Sequence, residues 1–180
     1  MTILARSEIL AELAAGRIQI TPYNEAMVGP ASVDLHLADV FRVFRYSKQN
    51  IAVRPESDFK DATRGIRVES GDFLLLKPGE TVLGITRECI QLPDDMCGWL
   101  EGRSRFARLG LLVHISASFM QPGLANHQVL EMSNFGPIPL EIYPDIPICQ
   151  FIFQRTAGHG VYEGRFKGQT PERFLADDCA

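Results

Sequence analysis

One carboxylate in this sequence is well placed for proton transfer. Glu131 lies in a predicted strand, with Val129 on its own face and with Leu130 and Met132 on the other. A carboxylate on an apolar strand either has a partner or has a raised pKa, because desolvation disfavours its charged form. A raised pKa would suit Glu131 to move protons near neutral pH. The alternative is a glutamate on the solvent face of an edge strand.

A second polar group precedes Glu131 in the chain. Arg103, Arg105 and Arg108 stand close together there, next to Gly102 and Ser104. Guanidinium groups offer forked donors that match phosphate oxygens, and the serine adds a hydroxyl. The whole chain has a formal net charge of −4, so this cluster is a local positive patch. It predicts a site for a phosphorylated small molecule, with a solvated basic turn as the alternative.

The histidines and cysteines show none of the spacings typical of zinc sites. The chain has neither the H-x-E and P-C-x-x-C motifs of zinc deaminases nor an H-E-x-x-H motif. We therefore predict no zinc, although histidines far apart in sequence could still meet in the fold: His36, His114, His127 and His159. The scattered cysteines are expected to be reduced thiols, and they are Cys89, Cys97, Cys149 and Cys179.

Composition indicates a single globular domain over residues 1–180. The 180 residues are 46% hydrophobic and 22% charged, which suits one substantial core. No apolar run approaches the ~20 residues of a membrane helix, and the first ten residues contain no signal-peptide core. We expect a cytoplasmic protein that does not bind membranes. The acidic balance and the lack of a Lys/Arg tract argue against nucleic-acid binding.

The elements that must position these groups are mostly short strands. Apolar alternation and turn residues predict them in ASVDLHL, in the strand–Pro-Gly–strand stretch DFLLLKPGETVLGI, and in HQVLEMSN, IPLEIY and PICQFIF. Residues 48–67 are polar and are predicted to form a long loop. Many closely spaced strands indicate a barrel or sandwich, whose edges a second copy could cover.

The two ends of the chain differ from this pattern. Ser7 is expected to cap a short helix that ends at Gly16, with an apolar face of Ile9, Leu10, Leu13 and Ala14. Residues 155–180 are rich in glycine and basic residues and poor in core residues. We expect a mobile tail that orders over a ligand, with a frayed terminus as the alternative.

In combination, these motifs resemble the dCTP deaminases of the dUTPase-like superfamily. The resemblance covers residues 29–169, and its motifs occur in the family's order: GPASVDLHL, EGRSRFARLGLLVH, QPG, VLE, YPDIPICQFIF and YEGRFKGQ. It implies a mainly β, distorted barrel with a short N-terminal helix and a flexible C-terminal tail. It also implies a homotrimer with active sites between subunits, and Mg²⁺ that enters on the triphosphate of dCTP.

The resemblance also assigns roles to individual residues. Glu131 matches the catalytic glutamate, and Ser104 and Arg108 match the active-site serine and arginine. The other matches are substrate-binding positions: Arg103, Arg105, His114, Ala117, Gln121, Val129, Leu130, Tyr162, Arg165 and Gln169. The implied reaction is hydrolysis of dCTP to dUTP and ammonia, with Glu131 as both base and acid.

Three positions depart from the family pattern. Arg105 replaces a second Ser or Thr, Arg165 replaces a Lys, and Gln121 replaces an acidic residue before Pro-Gly. The two arginines retain or add positive charge, whereas Gln121 changes a nucleotide ligand. Two alternatives therefore stay open. One is a bifunctional enzyme that forms dUMP and pyrophosphate, although the chain lacks the R-G-x-x-G-F-G arm of dUTPases, and the other is a non-catalytic nucleotide-binding homologue.

Overall fold

A computed structural model describes residues 2–47, 50–114 and 116–176. The strands are β1 (Gln19–Thr21), β2 (Val33–Phe44), β3 (Thr63–Arg67), β4 (Leu74–Leu76), β5 (Thr81–Gln91), β6 (Met96–Gly102), β7 (Leu111–Val113), β8 (Phe119–Met120), β9 (Ala125–Asn134), β10 (Leu140–Ile142) and β11 (Pro147–Arg155). The helices are α1 (Arg6–Ala14), α2 (Phe59–Ala62), α3 (Ser104–Ala107) and α4 (Pro171–Leu175), with a 3₁₀ turn at Glu25–Met27.

Most strands belong to one curled antiparallel sheet. Its order is β7-β9-β5-β2-β11-β6-β8, with β1 added to β5 and β3 added to β2. The strands β10 and β4 form a second sheet of their own. The predicted mainly β, distorted barrel with a short N-terminal helix is therefore confirmed.

The alternation in β2 shows why the sheet buries one face. Val33, Leu35 and Leu37 are fully buried, whereas Asp34 and His36 between them remain partly exposed. Successive side chains of a strand point to opposite faces, so this pattern directs every second residue into the core. The strand predicted from ASVDLHL is confirmed, and it continues to Phe44.

The predicted Pro-Gly turn lies between β4 and β5. The amide of Glu80 donates to the carbonyl of Lys77 (3.0 Å), and Gly79 has a φ of 79°. Proline favours the second position of such a turn, and glycine tolerates the positive φ of the third. The two strands do not become hairpin partners, because β4 pairs with β10 and β5 pairs with β9 and β2.

The N-terminal helix begins differently from the prediction. Ala5 is its N-cap and makes no side-chain capping bond, and Ser7 lies inside the first turn. Tertiary contacts fix the start instead, because the amide of Arg6 donates to the carbonyl of Pro30 (2.8 Å). The predicted end is confirmed, since Gly16 has a φ of 68°. On the predicted apolar face Ile9 is buried, whereas Ala14 is exposed.

Two predicted irregular regions contain more structure than expected. Residues 48–67 include α2 and β3, while Lys48 and Gln49 lie outside the described residues. The tail contains α4, whose Phe174 is 1% exposed in a small core cluster on β2 and β5. Tail mobility stays a prediction, and Cys179 lies outside the described residues. Cys89, Cys97 and Cys149 are free thiols, as expected.

No helix in the described part of the chain is both long and apolar enough to cross a membrane.

Candidate active site

Glu131 lies in β9 and faces a cleft. Val129 and His127 share its face and line the same cleft, whereas Leu130 and Met132 are fully buried in the core. The predicted strand faces are thus confirmed. The strand β9 runs between β7 and β5, and the Glu131 side chain is 34% exposed. The glutamate is therefore half-buried in a concave site rather than on the solvent face of an edge strand.

His114 holds the position directly opposite Glu131. Its backbone amide donates to the carbonyl of Glu131 (2.9 Å), which extends the pairing of β7 with β9. Its Nε2 lies 2.9 Å from the carbonyl oxygen of Ala117, and its Nδ1 lies 3.0 Å from Oε2 of Glu131. Nδ1 and Oε2 are buried but not well aligned for a hydrogen bond. A φ of 57° at His114 allows the chain to turn here.

The charge state of Glu131 differs from the prediction. Burial raises the pKa of the Glu131 carboxyl. His114 lowers this pKa through hydrogen bonding and through its charge, and a backbone hydrogen bond lowers it further, so the lowering exceeds the effect of burial. The net pKa lies below the usual value for glutamate. The predicted raised pKa is therefore wrong and the alternative of a partnered carboxylate holds, because the sequence could not show that His114 faces Glu131. Glu131 is ionised at neutral pH and can act directly as a base.

The cleft is mostly apolar and has a volume of about 450 Å³. Phe119 and Met120 of β8 line it together with Phe44, Phe59 and Phe166. With Val129, six predicted substrate-binding residues lie on its surface, and the other five are His114, Ala117, Gln121, Tyr162 and Gln169. Aromatic walls with a few convergent polar groups are typical of small-molecule sites.

The backbone of β9 offers a polar edge inside this cleft. The amide of His127 donates to the carbonyl of Gln169 (3.2 Å), and the carbonyl of Glu131 accepts from His114. The His127 amide and the Glu131 carbonyl both point away from β5. Val129 lies midway between these residues, so its N–H and C=O also point away from β5. The backbone groups of Leu130 face Gly84 of β5 instead. Val129 can therefore contact a base through its backbone, whereas the position of Leu130 differs from the predicted one.

Asn126 connects the tail to the cleft. Its Oδ1 accepts from the amides of Gly168 (2.6 Å) and Gln169 (3.2 Å), and its Nδ2 donates to the carbonyl of Phe166 (2.7 Å). Asn126 is 5% exposed. Tyr162 lies on the same segment and donates its amide to Pro122 (2.9 Å). The tail therefore closes one end of the cleft.

The predicted phosphate-binding residues lie elsewhere on the chain. Ser104, Arg105 and Arg108 are exposed on and just after α3, and they do not line the cleft. Arg103 forms an ion pair with Asp34. One chain therefore brings Glu131 together with the base-contacting positions, but not with the arginine cluster.

Arg165 is also directed away from the cleft. Its guanidinium forms an ion pair with Asp58 and donates to the carbonyl of Ser57 (2.9 Å). It lines a neighbouring basic depression with Lys60 and Arg173. A phosphate contact by Arg165 would have to compete with the Asp58 carboxylate.

Sequence reasoning missed three contributors to this site. His127 could have been found, because a residue four before Glu131 on a strand has the same face. Asn126 and Phe119 gave no such signal, since their roles depend on the tail and on the path of β8. Within residues 2–47, 50–114 and 116–176, no three His, Cys, Asp or Glu side chains lie close enough together to hold a metal ion.

The curled sheet and its cleft define the class of protein. The described fold is one that a solved deaminase shares. A solved structure of 2′-deoxycytidine 5′-triphosphate deaminase from Agrobacterium tumefaciens superposes with a TM-score of 0.67 at 20% identity. The alignment covers 85% of this chain and 48% of that chain, so this comparison supports the fold alone.

Sequence comparison gives the family. The dCTP deaminase-like family matches residues 3–156. A dCTP deaminase (dUMP-forming) from Parafrankia sp. (strain EAN1pec) is 40% identical over 188 residues, with 97% of this chain and 92% of the relative covered. The corresponding protein of Nocardioides sp. (strain ATCC BAA-499 / JS614) is 39% identical over 181 residues, with 95% and 94% covered. This chain belongs to the dCTP deaminase-like family, as the motifs predicted.

Proposed function

We propose that this protein hydrolyses the exocyclic amino group of dCTP. The observation that carries the proposal is the position of Glu131, an ionised carboxylate paired with His114 in an apolar cleft beside the free edge of Val129. Cytosine deamination needs a water deprotonated for attack on C4 and a proton delivered to the departing amine. One carboxylate that gains and then loses a proton can serve both steps.

The cleft supports a specific orientation of the nucleotide. The N–H and C=O of Val129 would pair with the polar edge of the cytosine, while Phe119 and Tyr162 would enclose the base and sugar. Because a strand edge presents fixed donors and acceptors, it can distinguish cytosine from other bases without a charged side chain. Gln121 lines the cleft where the family has an acidic ligand, so an amide would take over that contact.

We further propose that a second copy of the chain completes each site. Ser104, Arg105 and Arg108 are exposed and absent from the cleft of their own chain. In a homotrimer, α3 of one subunit would face the cleft of the next, where Ser104 and Arg108 would orient the water and stabilise the developing oxyanion. Arg105 would then contact the triphosphate, with Mg²⁺ held by the phosphate oxygens.

Mixed oligomers test this arrangement. Glu131→Gln and Arg108→Ala variants should each be inactive, because each damages one half of every site. Co-assembled at equal amounts, they should regain about a quarter of wild-type activity, since each site draws its halves from two subunits. Mixtures that stay inactive, although both variants assemble together, would show that each site lies within one chain.

The final nucleotide product is the second part of the proposal. We propose dUMP, because the two relatives described above are dUMP-forming deaminases and match nearly the full chain. The Gln121 substitution favours the alternative product, dUTP, since an amide cannot act as a base toward water at the α-phosphate. Chromatography after incubation with dCTP and Mg²⁺ should yield dUMP and pyrophosphate. Accumulation of dUTP would limit the activity to deamination, and binding without turnover would indicate a nucleotide sensor.

A further inference from the structure

Hydrogen bonding fixes the protonation of one ring nitrogen of His114. The side chain is 4% exposed, and Nε2 lies 2.9 Å from the carbonyl oxygen of Ala117. A carbonyl oxygen only accepts hydrogen bonds, so Nε2 must carry a proton. The neutral form of His114 therefore has its lone pair on Nδ1.

The opposite nitrogen faces the catalytic carboxylate. Nδ1 lies 3.0 Å from Oε2 of Glu131, and both atoms are buried. An unprotonated Nδ1 beside an ionised Glu131 would bring two lone pairs together without a proton. The pair therefore holds one proton, either on Nδ1 or on Oε2. The two atoms lie within hydrogen-bonding distance, although their alignment is poor.

We propose that His114 is a positioning residue that acts through Glu131 by sharing this single proton. The proposal rests on the deaminase function proposed above. In the resting pair the proton lies on Nδ1, and the imidazolium holds Glu131 ionised with its second oxygen free for water. His114 thereby supports the carboxylate as it changes charge.

The shared proton is conserved during the reaction. Glu131 takes one proton from water and passes it to N3 of cytosine while the C4–O bond forms. It then takes the remaining proton of the new hydroxyl and passes it to the amine, so the C4–N bond breaks and ammonia leaves. Water supplies both transferred protons, and the proton on Nδ1 returns to its starting position.

Other charged and titratable groups surround this pair, and in the proposed trimer they include Arg105 and Arg108 of the adjacent subunit. Among the described residues that line the cleft, the other titratable side chains are His127 and Tyr162. His127 is on the same strand as Glu131, with Nδ1 3.0 Å from the carbonyl of Thr86. Tyr162 comes from the tail, where its hydroxyl accepts from the amide of Phe166 (3.4 Å). The contribution of His114 to the pH–rate profile is therefore identified by comparison of wild type with a His114 variant.

The left-handed backbone of His114 determines the best variant. A φ of 57° disfavours most side chains, but asparagine tolerates it. His114→Asn retains a donor near Nδ1 and removes the titration. We expect a drop in kcat of at least ~10-fold, below the ~10²–10⁴-fold typical of an acid–base group itself. KM should change less than kcat, because the two ring nitrogens of His114 are directed at the Ala117 carbonyl and at Glu131.

The pH dependence separates this role from a structural one. In His114→Asn, which lacks the imidazole ring, burial becomes the stronger influence on the pKa of Glu131. The acidic limb of the pH–rate profile should therefore move to higher pH. The alkaline limb, which reports loss of the shared proton, should disappear. His36→Asn is the matched control, because His36 forms a similar pair with Glu88 (2.9 Å) away from the cleft. It should retain both wild-type limbs.

A spectroscopic measurement tests the pair independently of activity. In full-length protein labelled with ¹⁵N-histidine, His114 should keep a proton on Nε2, and Nδ1 should lose its proton only on the alkaline side. An unprotonated Nδ1 at neutral pH with Glu131 ionised, or an unchanged pH profile in folded His114→Asn, would overturn the proposal. If the wild-type protein releases no ammonia, the deaminase function fails, while the spectrum still tests the shared proton.

Discussion

The connection between Asn126 and the tail gives a quantitative prediction. Asn126→Ala removes one acceptor that serves the amides of Gly168 and Gln169, and one donor to the carbonyl of Phe166. The backbone bond between His127 and Gln169 remains. The substitution should therefore weaken tail closure without unfolding the barrel.

The expected magnitude follows from the three lost hydrogen bonds. Each is worth about 1 kcal/mol net, so closure should weaken by about 3 kcal/mol. Since 1.4 kcal/mol is a factor of ten, the open population should rise about 100-fold. Asn126→Asp retains the acceptor and loses only the donor to Phe166, and it should give a smaller effect.

Hydrogen exchange of the ligand-free, full-length protein is the appropriate assay. The amides of Gly168 and Gln169 should exchange about 100-fold faster in Asn126→Ala, while core amides of β2 stay protected. Asn24→Ala is the control, because Asn24 caps only its own 3₁₀ turn (2.9 Å to the amide of Ala26). If the two tail amides already exchange at the variant's rate in the wild type, the tail orders only with ligand and the reasoning fails.

Three further predictions concern the chemistry, the metal content and the core. Glu131→Gln should fold and bind dCTP, yet lose at least ~10²-fold in turnover because the base is gone; near-normal kcat would remove Glu131 from the mechanism. Elemental analysis of purified protein should find no stoichiometric zinc, and one tightly bound transition metal per chain would contradict this expectation. Phe174→Ala should lower the free energy of unfolding by about 3 kcal/mol, because this ring is 1% exposed; an unchanged denaturation midpoint would show that α4 contributes nothing to the core.

The sequence predicted the strands that carry the chemistry because their signal is local. Alternating apolar residues place Val33 and Leu35 inward. The same two-residue period places Glu131 and Leu130 on opposite faces of their strand. The Pro-Gly turn is equally local, since its geometry depends on two neighbouring residues. These features need no knowledge of the rest of the fold.

The missed features depend on contacts between distant parts of the chain. The pKa of Glu131 is lowered by His114, which is 17 positions away and is placed by a left-handed turn. The tail is poor in core residues, yet Phe174 inserts beside Phe59 (6.1 Å between ring centroids). Arg42, fully buried, donates to the carbonyl of Phe174 (2.9 Å). Neither periodicity nor composition encodes such pairings.

The most direct test of the account follows the exocyclic nitrogen of dCTP. The full-length protein is incubated with Mg²⁺ and dCTP labelled with ¹⁵N at the amino group, beside Glu131→Gln at equal nucleotide occupancy. We predict that the wild type transfers the label to ammonium, while Glu131→Gln retains it on the nucleotide. Label that stays on nucleotide bound to the wild type, or equal release by both proteins, would contradict a deaminase that depends on Glu131.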